Sequence, residues 1–455
     1  MAEPHAPAQT VTEAFNAVNP NRALDSDDPR YVDFTEWRSP MPIADRLAGF
    51  IVRPSQADPP EYAKVLFTGH KGSGKSTELR RLAAKLEEQG FFVVYFDAAT
   101  EIDMSGVSYA DVLLTLMYRL VSAVRGTEVE DALSVEAVDA LRTRLAAVEV
   151  ERQQSQSSEG EFKSGMSFKP GIPGLFEILT RFSVHMKGGE SEKRTLRDLI
   201  DADIGLFLED LNLLIGDLQI RLREAGSAGL VVLVDSLDRV ILKSISDDGR
   251  RTTHKELFIE HADHLMAPAC SMVYTIPVSL LNDANVANAW GTRPELLPMV
   301  KVHERDDPTE DCDGALDAMV GAVARRIDLD AIFADPTDVR RLCRMSGGHL
   351  RDLMILLRDA CSYTPDGQQI SSRSVGVAIQ DLINSYARQI EDRELDALVE
   401  VARTRQLPNR EDCQRLPLKT LVLEYRNGTR WHDVHPAIRE APVFEAAQAR
   451  DDGPA

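Results

Sequence analysis

Cysteine is scarce and scattered: Cys270, Cys312, Cys343, Cys361 and Cys413 are the five in 455 residues, and no two form a C-x-x-C pair. This spacing argues against a disulfide framework and a zinc ribbon, and fits a reducing cytoplasm. Long apolar runs are also missing. No stretch approaches the roughly eighteen apolar residues of a membrane span, and the polar segment from Met1 to Asn21 lacks the apolar heart of a secretory leader. A cytoplasmic protein with no membrane partner is expected. Positive charge is in deficit: 52 Lys and Arg against 73 Asp and Glu leave a net −21, which repels polyanions at long range and does not favour nucleic acid as a partner. No internal repeat is visible.

What is present is an ordinary globular composition, 43% hydrophobic and 27% charged, enough for two or three domains and a sizeable core. Turn formers and acids up to Arg30 predict a mobile tail, with folding from Tyr31. From Ala63 a short apolar run predicts a buried strand that ends in a glycine-rich loop. Leu79, Leu82, Ala83 and Leu86 then follow at helical spacing, Gly90 stops the helix, and Phe91–Phe96 reads as a second strand. Strand, loop, helix, strand is a βαβ unit, so the fold class is α/β with a parallel sheet covered by helices.

Further on, Val107–Val124 and Val135–Val148 read as helices, Gln153–Gly160 as a flexible loop leading to the Gly/Pro stretch Gly171–Gly174, and Ser191–Glu224 as one long helix. Phe182, Val184 and Met186 alternate without a clear assignment. Gly229–Val234 and Ser271–Ile276 are core strands, and Leu296–Val302 is a weaker one carrying Pro298. Asn427-Gly428, between Leu421–Tyr425 and Thr429–Val434, is a hairpin signal preceded by helices, which suggests a small winged helix. The resulting division is a tail (1–30), a core (31–305) with a helical insertion at about 100–225, a helical lid (306–390), a winged-helix-like domain (391–445) and a second tail (446–455).

The sharpest motif is Gly69-His70-Lys71-Gly72-Ser73-Gly74-Lys75-Ser76, followed by Thr77. A loop of this pattern between a strand and a helix wraps phosphates in backbone N–H groups beside the positive helix end. Lys75 is expected at the β- and γ-phosphates and Ser76 on Mg²⁺. A chance match in such a chain is on the order of a per cent or two. The second motif is Leu230–Val234 followed by Asp235-Ser236-Leu237-Asp238, which offers Asp235 as the other Mg²⁺ contact and Asp238 to position water.

Together these motifs resemble the AAA+ and STAND superclass of P-loop ATPases, and Asp235 to Arg239 is similar to the acidic signature of KAP-type NTPases. The resemblance covers roughly Tyr31 to Thr364 and implies ATP with Mg²⁺, the absence of N-K-x-D and T-K-x-D favouring ATP over GTP. Ser236 stands where AAA+ motors carry the glutamate that polarises water, which implies slow hydrolysis. By the same resemblance Thr275 is a γ-phosphate sensor, Arg351 in Ser346-Gly-Gly-His-Leu-Arg351 is a lid arginine that contacts nucleotide, and Arg293 is an arginine finger acting across a subunit boundary.

His261 and His264 are three apart but have no third ligand at an informative spacing, so a solvated helix face is the simpler reading. His432, Asp433 and His435, among Trp431, Val434 and Pro436, suggest hairpin packing. The functional expectation is a regulatory ATPase that works by self-association or through an effector protein. The alternatives are a DNA-binding, origin-recognition-like ATPase using Arg340, Arg341, Arg344, Arg426 and Arg430, and a docking protein that binds nucleotide without turnover.

Overall fold

A computed structural model describes residues 6–156, 169–187, 190–247 and 251–451. In chain order α1 (Val11–Ala17) precedes β1 (Lys64–Gly69), and the glycine-rich loop leads into α2 (Lys75–Glu88) and β2 (Phe91–Asp97). The insertion holds α3 (Tyr109–Val124), α4 (Val135–Gln156), α5 (Gly171–Met186), α6 (Glu190–Ala202) and α7 (Ile204–Glu224). Next come β3 (Gly229–Asp235), β4 (Ser271–Ile276) and the short β5 (Glu295–Leu297). The remaining helices include α8 (Asp313–Ala324), α9 (Asp338–Met345), α10 (Leu350–Ser362), α11 (Ser372–Ala387) and α12 (Leu395–Thr404). The hairpin β6 (Val422–Asn427) and β7 (Thr429–Val434) is followed by α13 (Pro436–Arg439) and α14 (Pro442–Asp451).

The chain divides into two compact units. A sheet unit comprises Leu47–Thr68 and Leu82–Glu295; a lid unit comprises Met1–Arg46, Gly69–Arg81 and Leu296–Ala455. In the sheet, ordered β2-β3-β4-β1-β5, the pairs β2·β3, β3·β4 and β4·β1 are parallel. β3 is buried along its whole length, as its unbroken aliphatic run requires of a strand covered on both faces. Register aligns Asp97 with Asp235, Phe67 with Thr275, and Thr68 with Ile276, so these residues share the carboxyl edge of the sheet.

The insertion helices build most of one core. Leu113, Leu116, Met117 and Leu120 of α3 meet Leu175, Ile178, Leu179 and Phe182 of α5 in a single cluster. Two expectations change here. The pattern from Ser191 to Glu224 is two helices that break at Asp203, and the Gly171–Gly174 stretch opens α5. Pro173 fits the first turn of a helix, where no N–H partner is needed, and so does not mark a loop. Phe182 and Met186 are therefore buried four residues apart on one helix face while Val184 is 63% exposed. Of the predicted 153–160 loop, Gln153–Gln156 ends α4, and the rest lies outside the described residues.

The lid unit has its own core, with Leu316 and Met319 of α8, Leu342 of α9, Leu353 and Leu356 of α10 and Ile379 of α11. Its N-terminal part departs from the predicted mobile tail. Thr10 and Glu13 form a capping box at α1, Ala14 and Val18 are buried, and Ala8 forms a parallel bridge with Ile327. Two small apolar residues four apart are enough to seat one helical turn, but turn formers outnumber them in the composition. At the other end, α14 continues past the predicted boundary at 446 and buries Phe444. The hairpin turns at Gly428 with φ +71°, and Trp431 stacks on Tyr425 with ring centroids 4.5 Å apart. All five cysteines are buried thiols, and no described helix is long and apolar enough to cross a membrane.

Candidate functional site

The glycine-rich loop is drawn tight by its own backbone. Gly72 and Gly74 hold φ +96° and +105°, which side chains rarely tolerate, and Ser73 N donates to His70 O at 3.2 Å. Lys75 opens α2 and is buried, with Nζ donating to Gly69 O at 2.7 Å and His70 O at 2.9 Å. Ser73 Oγ is buried without a hydrogen-bond partner among the described residues. A buried ammonium, an unspent hydroxyl and glycines that turn their backbone at a helix start fit an anionic polyphosphate. Ser76 is half-buried, and Thr77 accepts from Leu24 N at 3.1 Å, so its hydroxyl anchors the N-terminal segment. Arg38 is buried and donates to Ser73 O at 3.0 Å; burial lowers its guanidinium to about 10, still charged at neutral pH.

Two residues of the loop are also tied to distant parts of the lid unit. His70 Nε2 accepts from Glu424 N at 3.0 Å, which leaves its proton on Nδ1, 3.1 Å from Pro417 O. Full burial pushes this imidazole down to about 3, so it is neutral. Lys71 O lies 2.6 Å from His349 Nε2. The other nitrogen of His349 is 3.0 Å from Asp352 Oδ1, so both ring nitrogens face oxygen acceptors. Asp352 Oδ2 accepts from Tyr386 OH at 2.6 Å and lies 3.3 Å from His435 Nε2. Burial would raise the Asp352 carboxyl, but His349 and His435 outweigh it and hold it well below the carboxylate range. His435 in turn stacks on Tyr386 at 4.2 Å and accepts from Ala437 N at 3.2 Å. A continuous polar chain thus runs from the loop backbone through α10 to the residue that follows the hairpin.

Arg351 stands in the first turn of α10, against this loop. Its N–H donates to Gly72 O at 3.3 Å, and a Cβ built on Gly72 would come 2.6 Å from the Arg351 Cβ and 2.6 Å from His349 Nε2. The Arg351 guanidinium donates through Nε to Pro20 O at 3.3 Å.

The other candidates belong to the sheet unit. Asp235 is buried at the end of β3, where Oδ1 accepts from Ser236 N and Oδ2 from Tyr95 OH, both at 2.6 Å. Ser236 turns the chain at φ +59°, and Asp238 follows, half-buried, in a single turn Leu237–Arg239. Thr275 is fully buried. Its hydroxyl accepts from Leu237 N at 2.9 Å and donates to Val234 O at 3.3 Å, bracing the turn between the two aspartates. β4 separates β3 from β1, and the residue after Thr68 of β1 is Gly69, so the acidic turn and the strand that feeds the loop share one edge. Arg293 is exposed on the segment entering β5. His261 and His264 both pack their rings on Tyr109, at 4.6 and 4.3 Å, and no cluster of three metal-ligating side chains occurs among the described residues.

No family model matches the sequence, and no curated protein matches it. Among solved structures the chain is similar to the Walker-type ATPase paby2304 of Pyrococcus abyssi, at 14% identity and a TM-score of 0.43 over 92% of this chain and 98% of that one. It is also similar to the Aeropyrum pernix ORC2 protein solved with ADPNP and ADP, at 12% and 0.39 over 96% and 98%. Cdc6p from Pyrobaculum aerophilum follows at 11% and 0.38, again over 96% and 98%. The parallel sheet with a glycine-rich loop between β1 and α2 is the P-loop NTPase fold.

His349, Asp352, Tyr386, Arg38 and Tyr95 are not singled out by the sequence motifs, and His435 is singled out only for hairpin packing. His349 stands inside the lid motif, two residues before Arg351, and was the one available signal. The others act through contacts that leave no local pattern.

Proposed function

We propose that the chain is a slow, regulatory P-loop ATPase, in which the lid and terminal hairpin read the state of the glycine-rich loop. The observation that carries this reading is the double attachment of the loop itself: His70 to Glu424 and Pro417, and Lys71 to His349. A loop that bound phosphates and did nothing else would not need its second and third residues bonded some 350 and 280 positions away. Gly69 to Thr77 supply the cradle, with Lys75 on the β- and γ-phosphates and Ser76 and Asp235 on Mg²⁺. Asp238 positions water. Thr275 contributes by holding the acidic turn, because its hydroxyl is already spent inside the core. Arg351 reaches nucleotide by exchanging its contact with Pro20, and Arg293 acts on a neighbouring copy. Ser236 in place of a glutamate makes hydrolysis slow, which suits a switch.

Of the five arginines of the nucleic-acid alternative, three are engaged by carboxylates. Arg340 pairs with Asp317 and Asp313, Arg344 with Asp311, and Arg430 with Glu424. The test is ATP binding and turnover of the wild type, Lys75→Ala, Asp235→Ala and Asp238→Ala, with molecular mass measured with and without ATP. Binding lost in Lys75→Ala, slow wild-type turnover abolished in the aspartate variants and a mass change with ATP are expected. Wild-type protein that binds no ATP with Mg²⁺ overturns the reading.

A further inference from the structure

Three arginines, Arg341, Arg344 and Arg439, line one recess of about 190 Å³ in the lid unit, between α9 and α13. Val302, Pro308, Met345 and Pro436 are its apolar lining, His303 lies among them, and Glu440 is the one carboxylate among its lining residues. A concentration of guanidinium around an apolar recess runs against a chain of net charge −21. Two of the three are fixed in place. Arg344 donates to Asp311 at 2.6 Å and to Pro308 O at 3.3 Å, while Arg439 donates to Asp433. Asp433 is fully buried and is shared with Arg405 at 2.6 Å and His303 at 3.2 Å, so it does not neutralise Arg439 alone. Each guanidinium carries five N–H donors, more than these contacts use. Arg341 is exposed and pairs with no carboxylate among the described residues, whereas its neighbour Arg340 is held by Asp313 and Asp317.

We propose that this recess binds a small organic anion, a phosphate or carboxylate on a compact apolar body, with Arg341 as its main contact, and that the anion is an effector of the lid. The position supplies the second half of this inference. α9 runs directly into Ser346-Gly347-Gly348-His349, whose ring meets Lys71 O, and α13 follows His435, which faces Asp352. An anion held by Arg341 of α9 and Arg439 of α13 straps together the two segments that carry the His349–Asp352–His435 chain. Binding stands independently of the proposed ATPase; the effect on the loop rests on it.

The experiment is calorimetric titration of the full-length protein with phenyl phosphate, and with phenol as the uncharged control. Wild type, Arg341→Gln and Lys75→Ala are compared, the last to remove phosphate binding at the glycine-rich loop. Phenyl phosphate should bind wild type and Lys75→Ala alike, bind Arg341→Gln at least about tenfold more weakly, and phenol should not bind. ATP affinity of the wild type should shift about fivefold or more with saturating phenyl phosphate, and the shift should vanish in Arg341→Gln. No binding to wild type, binding indifferent to Arg341→Gln, or binding abolished by Lys75→Ala overturns the site. Arg341-dependent binding with unchanged ATP affinity keeps the site and overturns the effector role. If ATP itself does not bind, the ATPase reading fails while the recess is still judged by Arg341.

Discussion

Acid should weaken this protein through one imidazole. His70 accepts a backbone N–H on Nε2 and donates from Nδ1, an arrangement open only to the neutral ring. Burial is the largest influence and sets its pKa at about 3; the Glu424 carboxylate pulls the other way and loses, while His349 and Lys75 add to the depression. In the unfolded chain the same side chain returns to about 6.5. Between these values the unfolded chain binds a proton that the folded chain refuses. Stability from this residue is therefore complete above pH 6.5 and falls below it, at about 1.4 kcal/mol per pH unit. From pH 7.5 to 5.0 the loss is about 2 kcal/mol.

Burial also lowers His435 and His254, so the wild type should lose more than this in total. Asp352, held far below the carboxylate range, stays ionised throughout the window and adds no slope. The contribution of His70 is isolated by His70→Gln, which keeps a donor and an acceptor at the position but does not titrate. Urea unfolding of both proteins at pH 7.5 and 5.0 should show a wild-type loss larger by about 2 kcal/mol. Nitrogen chemical shifts of the folded wild type should show a neutral Nδ1–H ring for His70 down to pH 5. Equal losses to within about 0.5 kcal/mol, or titration of His70 near 6.5, would refute the reasoning.

Two further changes probe the same contacts. Asp352→Ala removes the carboxylate that Tyr386 bonds and that His349 and His435 face, and should destabilise by ~3–5 kcal/mol, whereas Asp352→Asn keeps the shape and should cost ~1–3 kcal/mol; a denaturation midpoint of Asp352→Asn equal to that of the wild type would show that the charge is idle. Gly348→Ala places a Cβ 1.8 Å from Val300 O at φ +77°, so the chain leading into His349 must move; a cost of ~3 kcal/mol or more is expected, and a thermal midpoint unchanged from the wild type would contradict the geometry.

The elements legible in the sequence were those with local causes. β1, the loop, α2 and β2 follow from a short apolar run, placed glycines and helical spacing within about thirty residues, and β6 and β7 from Asn427-Gly428. Where the same local rules were offered weak input they misled. Turn formers hid α1, Pro173 disguised the entry to α5, and continuous helical periodicity concealed the break at Asp203. The strand order and the tie between loop and lid were not legible, because they depend on pairings hundreds of residues apart. Thr77 shows the limit most plainly. Its hydroxyl accepts from Leu24, in a segment whose composition suggested no fold at all.

His435 carries the converse lesson. Its neighbours Trp431 and Pro436 suggested packing, and it is indeed fully buried and stacked on Tyr386. Packing does not isolate it, since the same ring faces the carboxylate that faces His349, and His349 meets the loop. A buried polar chain of this kind is costly when any member lacks its partner. Under the proposed function a displacement of Lys71 by bound phosphates would either carry His349 along or draw it from Asp352. Under the proposed function either outcome shifts the balance of the lid unit, which is how phosphate held by the loop would be felt at the terminal hairpin.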